Sequence, residues 1–132
     1  MRLILGQDEL VGHWISEQIG KPFCPPMATI GWMTESGEMA GGCAFHNYEV
    51  HNIDVAVATA RPVTRGILRS VFHYVFVQLK CDRVTIRLRK SEKRGIKSAH
   101  KLGFKFECML DRWFGSEKGV QLKMTRETCK WI

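Results

Sequence analysis

Long apolar runs are missing from this sequence of 132 residues. No stretch approaches the roughly 20 consecutive apolar residues of a membrane-spanning helix. The apolar start at residues 2–5 is also too short to be a signal peptide. These absences argue against a helical membrane protein, and we predict a cytoplasmic protein with no membrane partner.

Close pairs of cysteines are missing as well. The five cysteines are odd in number, lie far apart and form no C-x-x-C motif: Cys24, Cys43, Cys81, Cys108 and Cys129. A zinc site needs clustered ligands at short spacing, so the pattern argues against a metal centre. We predict free thiols in a reducing compartment.

Acidic residues are outnumbered, with 13 Asp and Glu against 20 Lys and Arg, which gives a net charge of +7. The length and a hydrophobic content of 45% fit one globular domain over residues 1–132. The positive charge favours anionic partners, such as a phosphate-bearing coenzyme or nucleic acid. The densest basic region contains Arg83, Arg87, Arg89, Lys90, Lys93, Arg94, Lys97, Lys101 and Lys105. We interpret it as a solvated helix face, with a nucleic-acid surface as the alternative.

The central feature of the chain is a strand, loop, helix, strand, helix, strand pattern over residues 52–107. β-branched residues at every second position over residues 53–58 predict the first strand. Apolar residues at spacings of one, three and four predict a helix over residues 67–79. Apolar and polar residues alternate in a second strand at residues 83–88, and a polar helix follows over residues 91–102.

The start of the first of these helices is a predicted anion site. The free N–H groups at a helix N-terminus bind phosphate. Here they belong to the residues near Gly66, Ile67 and Leu68. Three arginines surround this position with positive charge: Arg61, Arg65 and Arg69.

Two motifs in the same stretch resemble the GNAT superfamily of acetyl-CoA-dependent N-acyltransferases. The family's loop reads V-x-P-x-x-R-G-x-G-x-G/A, and residues 60–70 read A-R-P-V-T-R-G-I-L-R-S. Pro62, Arg65 and Gly66 match, and Leu68 and Ser70 replace the later glycines.

The second motif is a helix that ends in K-L-G-F before a strand, as residues 101–104 do here. This ending is similar to the branch that acetylates the N-termini of ribosomal proteins. Ser91 or Glu92 stands where the family has an Asn, and Ala99 stands where many members carry a general-acid Tyr.

The resemblance implies an α/β (α+β) fold with a mixed, mostly antiparallel sheet flanked by helices. It implies acetyl-CoA as co-substrate and direct attack by a primary amine of a protein N-terminus, a lysine or a small molecule. We expect a monomer or a homodimer. The cofactor-binding residues that it implies are Ala58, Thr59, Ala60, Arg61, Arg65, Gly66, Ile67, Leu68, Arg69, Ser70 and Ser91.

Glycines and prolines mark the turns of the flanking segments. Gly20 should end an N-terminal helix that has Asp8 as its N-cap or first-turn acid. Gly103 should end the polar helix in a left-handed conformation. Residues 21–27 are predicted as a stiff connector.

Two hairpins are expected, one around residues 35–38 and one with a turn over residues 114–119. In the first, Gly41 and Gly42 are interpreted as packing space for Trp32, with a bulge or a close backbone approach as the alternative.

Asp54 and His51 are the candidate acid–base residues. Asp54 interrupts the apolar rhythm of its strand, at about the place where some GNAT families carry a Glu base. His51 titrates in a useful range. An exposed strand acid and a surface turn histidine are the respective alternatives. The oxyanion would be stabilised by a backbone N–H near Ala58.

The other histidines receive structural interpretations. His46 is expected only to finish a strand, His13 and His73 to be structural, and His100 to be solvated.

Two functions from different classes follow. The first is an N-acetyltransferase that uses acetyl-CoA. The second is a GNAT-shaped binding protein, weak or inactive in catalysis, that holds a protein or RNA through its basic face. The matched loop favours the first, whereas Leu68, Ser70 and Ala99 favour the second.

Overall fold

The structure is a computed structural model that describes residues 1–23 and 26–132. The predicted stiff connector at residues 21–27 includes Cys24 and Pro25, which lie outside the described residues. In the part of the chain that is described, no helix is both long and apolar enough to cross a membrane.

A single seven-stranded sheet forms the centre of the fold. Its strands are β1 (Arg2–Leu5), β2 (Met27–Met33), β3 (Met39–His46), β4 (Asn52–Thr59), β5 (Arg83–Arg89), β6 (Lys105–Phe114) and β7 (Glu117–Thr125). Their order across the sheet is β1-β2-β3-β4-β5-β7-β6. Only the β4–β5 pair is parallel, which confirms the predicted mixed, mostly antiparallel sheet.

In the described residues, three α-helices connect the strands: α1 (Asp8–Ile19), α2 (Arg65–His73) and α3 (Lys93–Leu102). Asp8 lies in the first turn of α1, and its carboxylate accepts hydrogen bonds from the Thr29 N–H at 2.9 Å and the Thr29 hydroxyl at 2.8 Å. As predicted, α1 ends at Gly20 with φ 68° and α3 ends at Gly103 with φ 117°, both left-handed.

The predicted helix over residues 67–79 is wrong in one respect, because α2 passes into a π segment (Tyr74–Gln78). The consecutive residues Val75 and Phe76 are both fully buried there. The Leu79 N–H donates to the Tyr74 carbonyl, five residues earlier, at 2.9 Å, which is the hydrogen-bond pattern of a π-helix. Spacing in the sequence does not reveal such a local insertion.

The side chains of the strands alternate between two faces of the sheet. One face packs against α2, the π segment and α3 and forms the main core, with Phe45, Phe76 and Leu122 fully buried. On the other face, α1 contacts β2, β3 and β4. Val11 and Ile15 pack there against Ala44 and Ala58.

Glycines set how closely these layers approach. A Cβ on Gly41 would lie 2.5 Å from the Trp32 ring, which confirms the interpretation of that glycine as packing space. A Cβ on Gly42 would lie 3.1 Å from Val11 and Ile15. The missing side chain of Gly42 therefore makes room for α1.

The predicted turn over residues 114–119 is present but shorter, because β6 and β7 are joined by only Gly115 and Ser116. Gly119 belongs to β7, where it pairs with Leu110 and Arg89. Its Cβ would lie 3.0 Å from Trp113. This glycine therefore serves packing rather than a turn, and the sequence alone does not distinguish the two uses.

The four described cysteines are free, as predicted: Cys43, Cys81, Cys108 and Cys129. Complete burial raises the pKa of the Cys43 thiol to about 12. A buried thiol with so high a pKa is inert as a nucleophile.

Candidate active site

The candidate site lies where β4 and β5 separate. The two strands pair only at Asn52↔Arg83, Ile53↔Val84 and Asp54↔Thr85. Beyond these pairs, residues 55–57 of β4 and 85–89 of β5 line a pocket between them. We call this space the wedge. It opens at the carboxyl ends of both strands, which lead to the N-termini of α2 and α3.

The direction of the β4 amides follows from their pairing with β3. The Ala60 N–H donates to the Ala40 carbonyl at 2.9 Å, and amide directions alternate along a strand. The Ala56 and Ala58 amides therefore also point to β3, whereas the Val57 and Thr59 amides point toward the wedge. The oxyanion donor near Ala58 stays a prediction, for which the neighbouring Val57 and Thr59 amides have the suitable direction.

The start of α2 offers a narrower anion site than predicted. Thr64 is the N-cap, and its side chain accepts the Ile67 N–H at 3.3 Å. The Leu68 N–H donates to the Thr64 carbonyl at 3.1 Å. Within residues 1–23 and 26–132, the N–H groups of Arg65 and Gly66 have no such partner. These two amides carry the positive end of the helix dipole.

The three predicted arginines lie near this helix start in different surroundings. Arg61 is 3.7 Å from the Glu38 carboxylate. The Arg65 guanidinium lies 5.6 Å from the centre of the Trp131 ring, within cation–π distance. Arg69 is exposed and lines a groove between α2 and the first two strands. All three are available to a phosphate without burial of their charge.

The remaining predicted cofactor residues divide into surface and core positions. Thr59 and Ala60 are exposed at the end of β4, whereas Ala58 and Ile67 are buried. Leu68 packs against the main core, and the Ser70 hydroxyl donates to the Gly66 carbonyl at 3.1 Å. Ser91 lies before α3, where its N–H donates to the Glu117 carboxylate at 2.9 Å.

Asp54 is buried at 3% exposure, so the alternative of an exposed strand acid is wrong. It faces away from the main core, because its neighbours Ile53 and Val55 belong to that core. Its carboxylate accepts hydrogen bonds from Arg87 at 2.7 Å, Asn47 at 3.1 Å and Asn52 at 3.2 Å. A buried carboxylate needs such partners, and the parallel pairing of β4 with β5 supplies the arginine.

A second ion pair continues this polar surface across β5 and β7. Arg83 binds Glu107 through both guanidinium nitrogens, and Gln121 donates to the same carboxylate at 2.9 Å. These bonds lower the pKa of the Glu107 carboxyl to about 2, with the Arg83 hydrogen bond as the largest cause. We call Asp54, Arg87, Gln121, Glu107 and Arg83 the polar network.

The predicted basic region does not form one face. Arg83, Arg87 and Arg89 lie on β5, opposite the face that α3 covers. Lys93, Arg94, Lys97 and Lys101 are exposed on α3. The sheet separates the two groups, because alternation along β5 sends its polar residues away from the helix.

His51 lies outside the residues that line the wedge. Its side chain is 79% exposed, and Nδ1 is 2.5 Å from the Asp82 carboxylate. Its location fits the alternative of a surface turn histidine.

His46 is the residue that the sequence analysis undervalued. It ends β3 directly opposite Asp54 of β4, is half-buried, and lines the wedge together with Asp54 and Arg87. Burial is the largest cause that lowers the pKa of His46, and Asp54 partly opposes the shift. The pairing of His46 with Asp54 is what brings His46 to the wedge. It depends on the register of β3 and β4, which no local motif in the sequence specifies.

No protein-family model matches this sequence, and no curated protein matches it significantly. Solved structures do match. A point variant of spermidine N-acetyltransferase from Vibrio cholerae superposes with a TM-score of 0.78 at 10% identity, covering 100% of this chain and 98% of that one. A second variant of that enzyme gives 0.77 at 10% identity, covering 99% and 95%.

The N-acetyltransferase PseH from Campylobacter jejuni, solved in complex with acetyl coenzyme A, superposes with a TM-score of 0.58 at 12% identity. The match covers 74% of this chain and 68% of that one. The chain thus has the fold of GNAT acetyltransferases. The ribosomal-protein branch suggested by the K-L-G-F ending is not among these neighbours and stays a prediction.

Proposed function

We propose that this protein is an N-acyltransferase that moves an acetyl group from acetyl-CoA to a primary amine. The observation that carries the proposal is the wedge, where β4 separates from β5 and then leads to the N-terminus of α2. The fold shared with acetyltransferases, one of them solved with acetyl-CoA, supports it.

Acetyl-CoA matches the wedge in its chemistry. Its phosphates suit the Arg65 and Gly66 amides and the positive charge of Arg61, Arg65 and Arg69. The amides of its extended arm can bond to the free edge of β4, as an added strand does. The thioester would then lie near the Val57 and Thr59 amides, which can stabilise the oxyanion.

The amine would approach from the polar side of the wedge, where Asp54 and Arg87 lie. Transfer proceeds by direct attack of the amine on the thioester, with binding that holds the two reactants together. We assign Asp54 a positioning role, because its carboxylate already accepts three hydrogen bonds. The acceptor is a protein N-terminus, a lysine or a small amine.

The test is a thiol-release assay with acetyl-CoA and a panel of amines: spermidine, free lysine and a peptide with a free N-terminus. We expect at least one amine to release CoA and to gain 42 Da, roughly one acetyl group, by mass spectrometry. Thiol release without an acetylated product would indicate hydrolysis and contradict the proposal. The same would hold if every amine stayed unmodified.

A second candidate function is a binding protein that uses the cations of α3. It is favoured by the N-cap of α2, because the Thr64 side chain already accepts the Ile67 N–H, which a phosphate would otherwise bind. Tight RNA binding that is lost in a Lys97→Glu/Lys101→Glu double variant, with no acetyl transfer by the wild type, would establish this function instead. The cytoplasmic location and the monomeric or dimeric state stay predictions.

A further inference from the structure

The group that removes the proton from the amine is still to be assigned. An amine is protonated near neutral pH, and only its neutral form attacks a thioester. The base must line the wedge, must be unprotonated when it acts, and must have a free lone pair. Asp54 is a poorer candidate, because a proton on its buried carboxylate would weaken the ion pair with Arg87, and His51 fails the first condition.

We propose that His46 is the general base of the proposed acetyl transfer, placed at the polar side of the wedge by the β3–β4 register. This inference rests on the proposed function and names a residue within it. In the described part of the chain, the His46 ring nitrogens make no hydrogen bond, so one of them is free to accept a proton.

The surroundings of His46 favour its neutral form at physiological pH. The Phe23 ring packs against the imidazole with centroids 5.7 Å apart. The charged groups that face it are Asp54 from β4, Arg87 from β5 and Lys21 after α1. Burial and the two cations lower the pKa of His46, whereas Asp54 raises it. Arg87 is bound to Asp54 at 2.7 Å, so its substitution would also break that ion pair. Lys21 is therefore the better cation to substitute.

The step balances as follows. His46 takes one proton from the ammonium, which leaves a neutral amine and an imidazolium. The amine nitrogen forms a bond to the thioester carbon, and the C–S bond breaks to give the CoA thiolate. The second ammonium proton, released from the new amide nitrogen, passes to this thiolate, and His46 returns its proton to solvent.

The first experiment compares His46→Gln with His51→Gln, using the panel amine that the wild type acetylates fastest. We expect His46→Gln to lose about 100-fold in kcat/KM near neutral pH, the lower end of the usual contribution of a general base. The matched His51→Gln control should stay within about twofold of the wild type, because His51 lies outside the wedge. Acetyl-CoA affinity should be unchanged in both variants.

The pH profile separates a base from a merely structural residue. Wild-type kcat/KM should fall as the pH drops below the pKa of His46, which lies under the ordinary 6.5. In His46→Gln this acid limb should vanish, and the activity should rise with pH as free amine becomes available. A uniform loss at all pH values would contradict the proposal.

A titration of the histidine ring protons by NMR provides a readout that does not depend on turnover. The signal missing from His46→Gln identifies His46, and its pKa should match the acid limb. Lys21→Gln removes an exposed cation, so it should raise the pKa of His46 and move the acid limb to higher pH, even if His46→Gln folds poorly.

The two proposals fail in different ways. If the wild type acetylates an amine while His46→Gln keeps its rate and its acid limb, His46 is not the base but the proposed function stands. If the wild type acetylates none of the panel amines, both proposals fall.

Discussion

The two faces of the sheet are covered differently across β5 and β7. On one face Val84, Ile86 and Leu122 pack under α2 and α3, and burial alone keeps them in place. On the other face lies the polar network, in which Arg87 pairs with Asp54 and Arg83 pairs with Glu107. The same two strands therefore supply a hydrophobic core on one side and a charged, partly open surface on the other.

This difference indicates where chemistry can occur. A close-packed core excludes water and ligands, whereas the network holds charged groups at fixed positions beside the wedge. Arg87 is 2.7 Å from Asp54 and 4.9 Å from the centre of the Trp113 ring, so it is positioned from two sides.

The largest effect is expected for Phe76→Ala on the closed face. Phe76 is fully buried, and its truncation should lower the free energy of unfolding by about 3–5 kcal/mol. The adjacent Val77 is 45% exposed, so Val77→Ala should change the free energy of unfolding by less than about 0.5 kcal/mol. Urea denaturation measures both, and equal effects would contradict the burial of Phe76.

On the open face, Glu107→Gln should lower the free energy of unfolding at neutral pH by about 2 kcal/mol, as expected for a hydrogen bond to a charged group. The pKa of Glu107 is about 2 in the folded protein and 4.5 ordinarily. Its contribution is therefore complete above pH 4.5 and is lost as the pH falls toward 2. In Glu107→Gln the free energy of unfolding should therefore fall less between pH 4.5 and pH 2 than in the wild type. The same pH dependence in both proteins would disprove the ion pair of Glu107 with Arg83.

Two glycine substitutions should have smaller effects on stability, and of opposite sign. Gly103→Ala should destabilise by about 1 kcal/mol, because φ is 117° there. Gly66 has ordinary helical surroundings, with nothing within 4 Å of a Cβ, so Gly66→Ala should stabilise by about 0.4–1 kcal/mol. Thermal unfolding of the two variants compares them directly, and stabilisation by both would contradict the C-cap at Gly103.

Local patterns in the sequence predict much of this fold. The alternation over residues 83–88 predicts β5, and Gly20 and Gly103 mark helix ends. Such features depend on neighbours within a few residues. The start of α2 and the three arginines near it are likewise predicted from residues that are close together in the sequence.

The polar side of the wedge could not be predicted from these patterns. Asp54 meets Arg87 across 33 residues, and His46 meets Asp54 through a strand register. Both contacts depend on how β3, β4 and β5 pair. The π segment could not be predicted either, because the apolar spacing over residues 72–79 also fits a regular α-helix.

The most direct test of the central claim is a calorimetric titration of acetyl-CoA into the wild type, Arg65→Glu and Lys97→Glu. The two substitutions change the charge equally, one at the start of α2 and the other on the exposed face of α3. We predict that the wild type binds and that Arg65→Glu binds at least about tenfold more weakly, roughly 1.4 kcal/mol, while Lys97→Glu stays close to the wild type. Absence of heat and of a thermal shift at millimolar acetyl-CoA, or equal weakening by both variants, would contradict binding at the wedge.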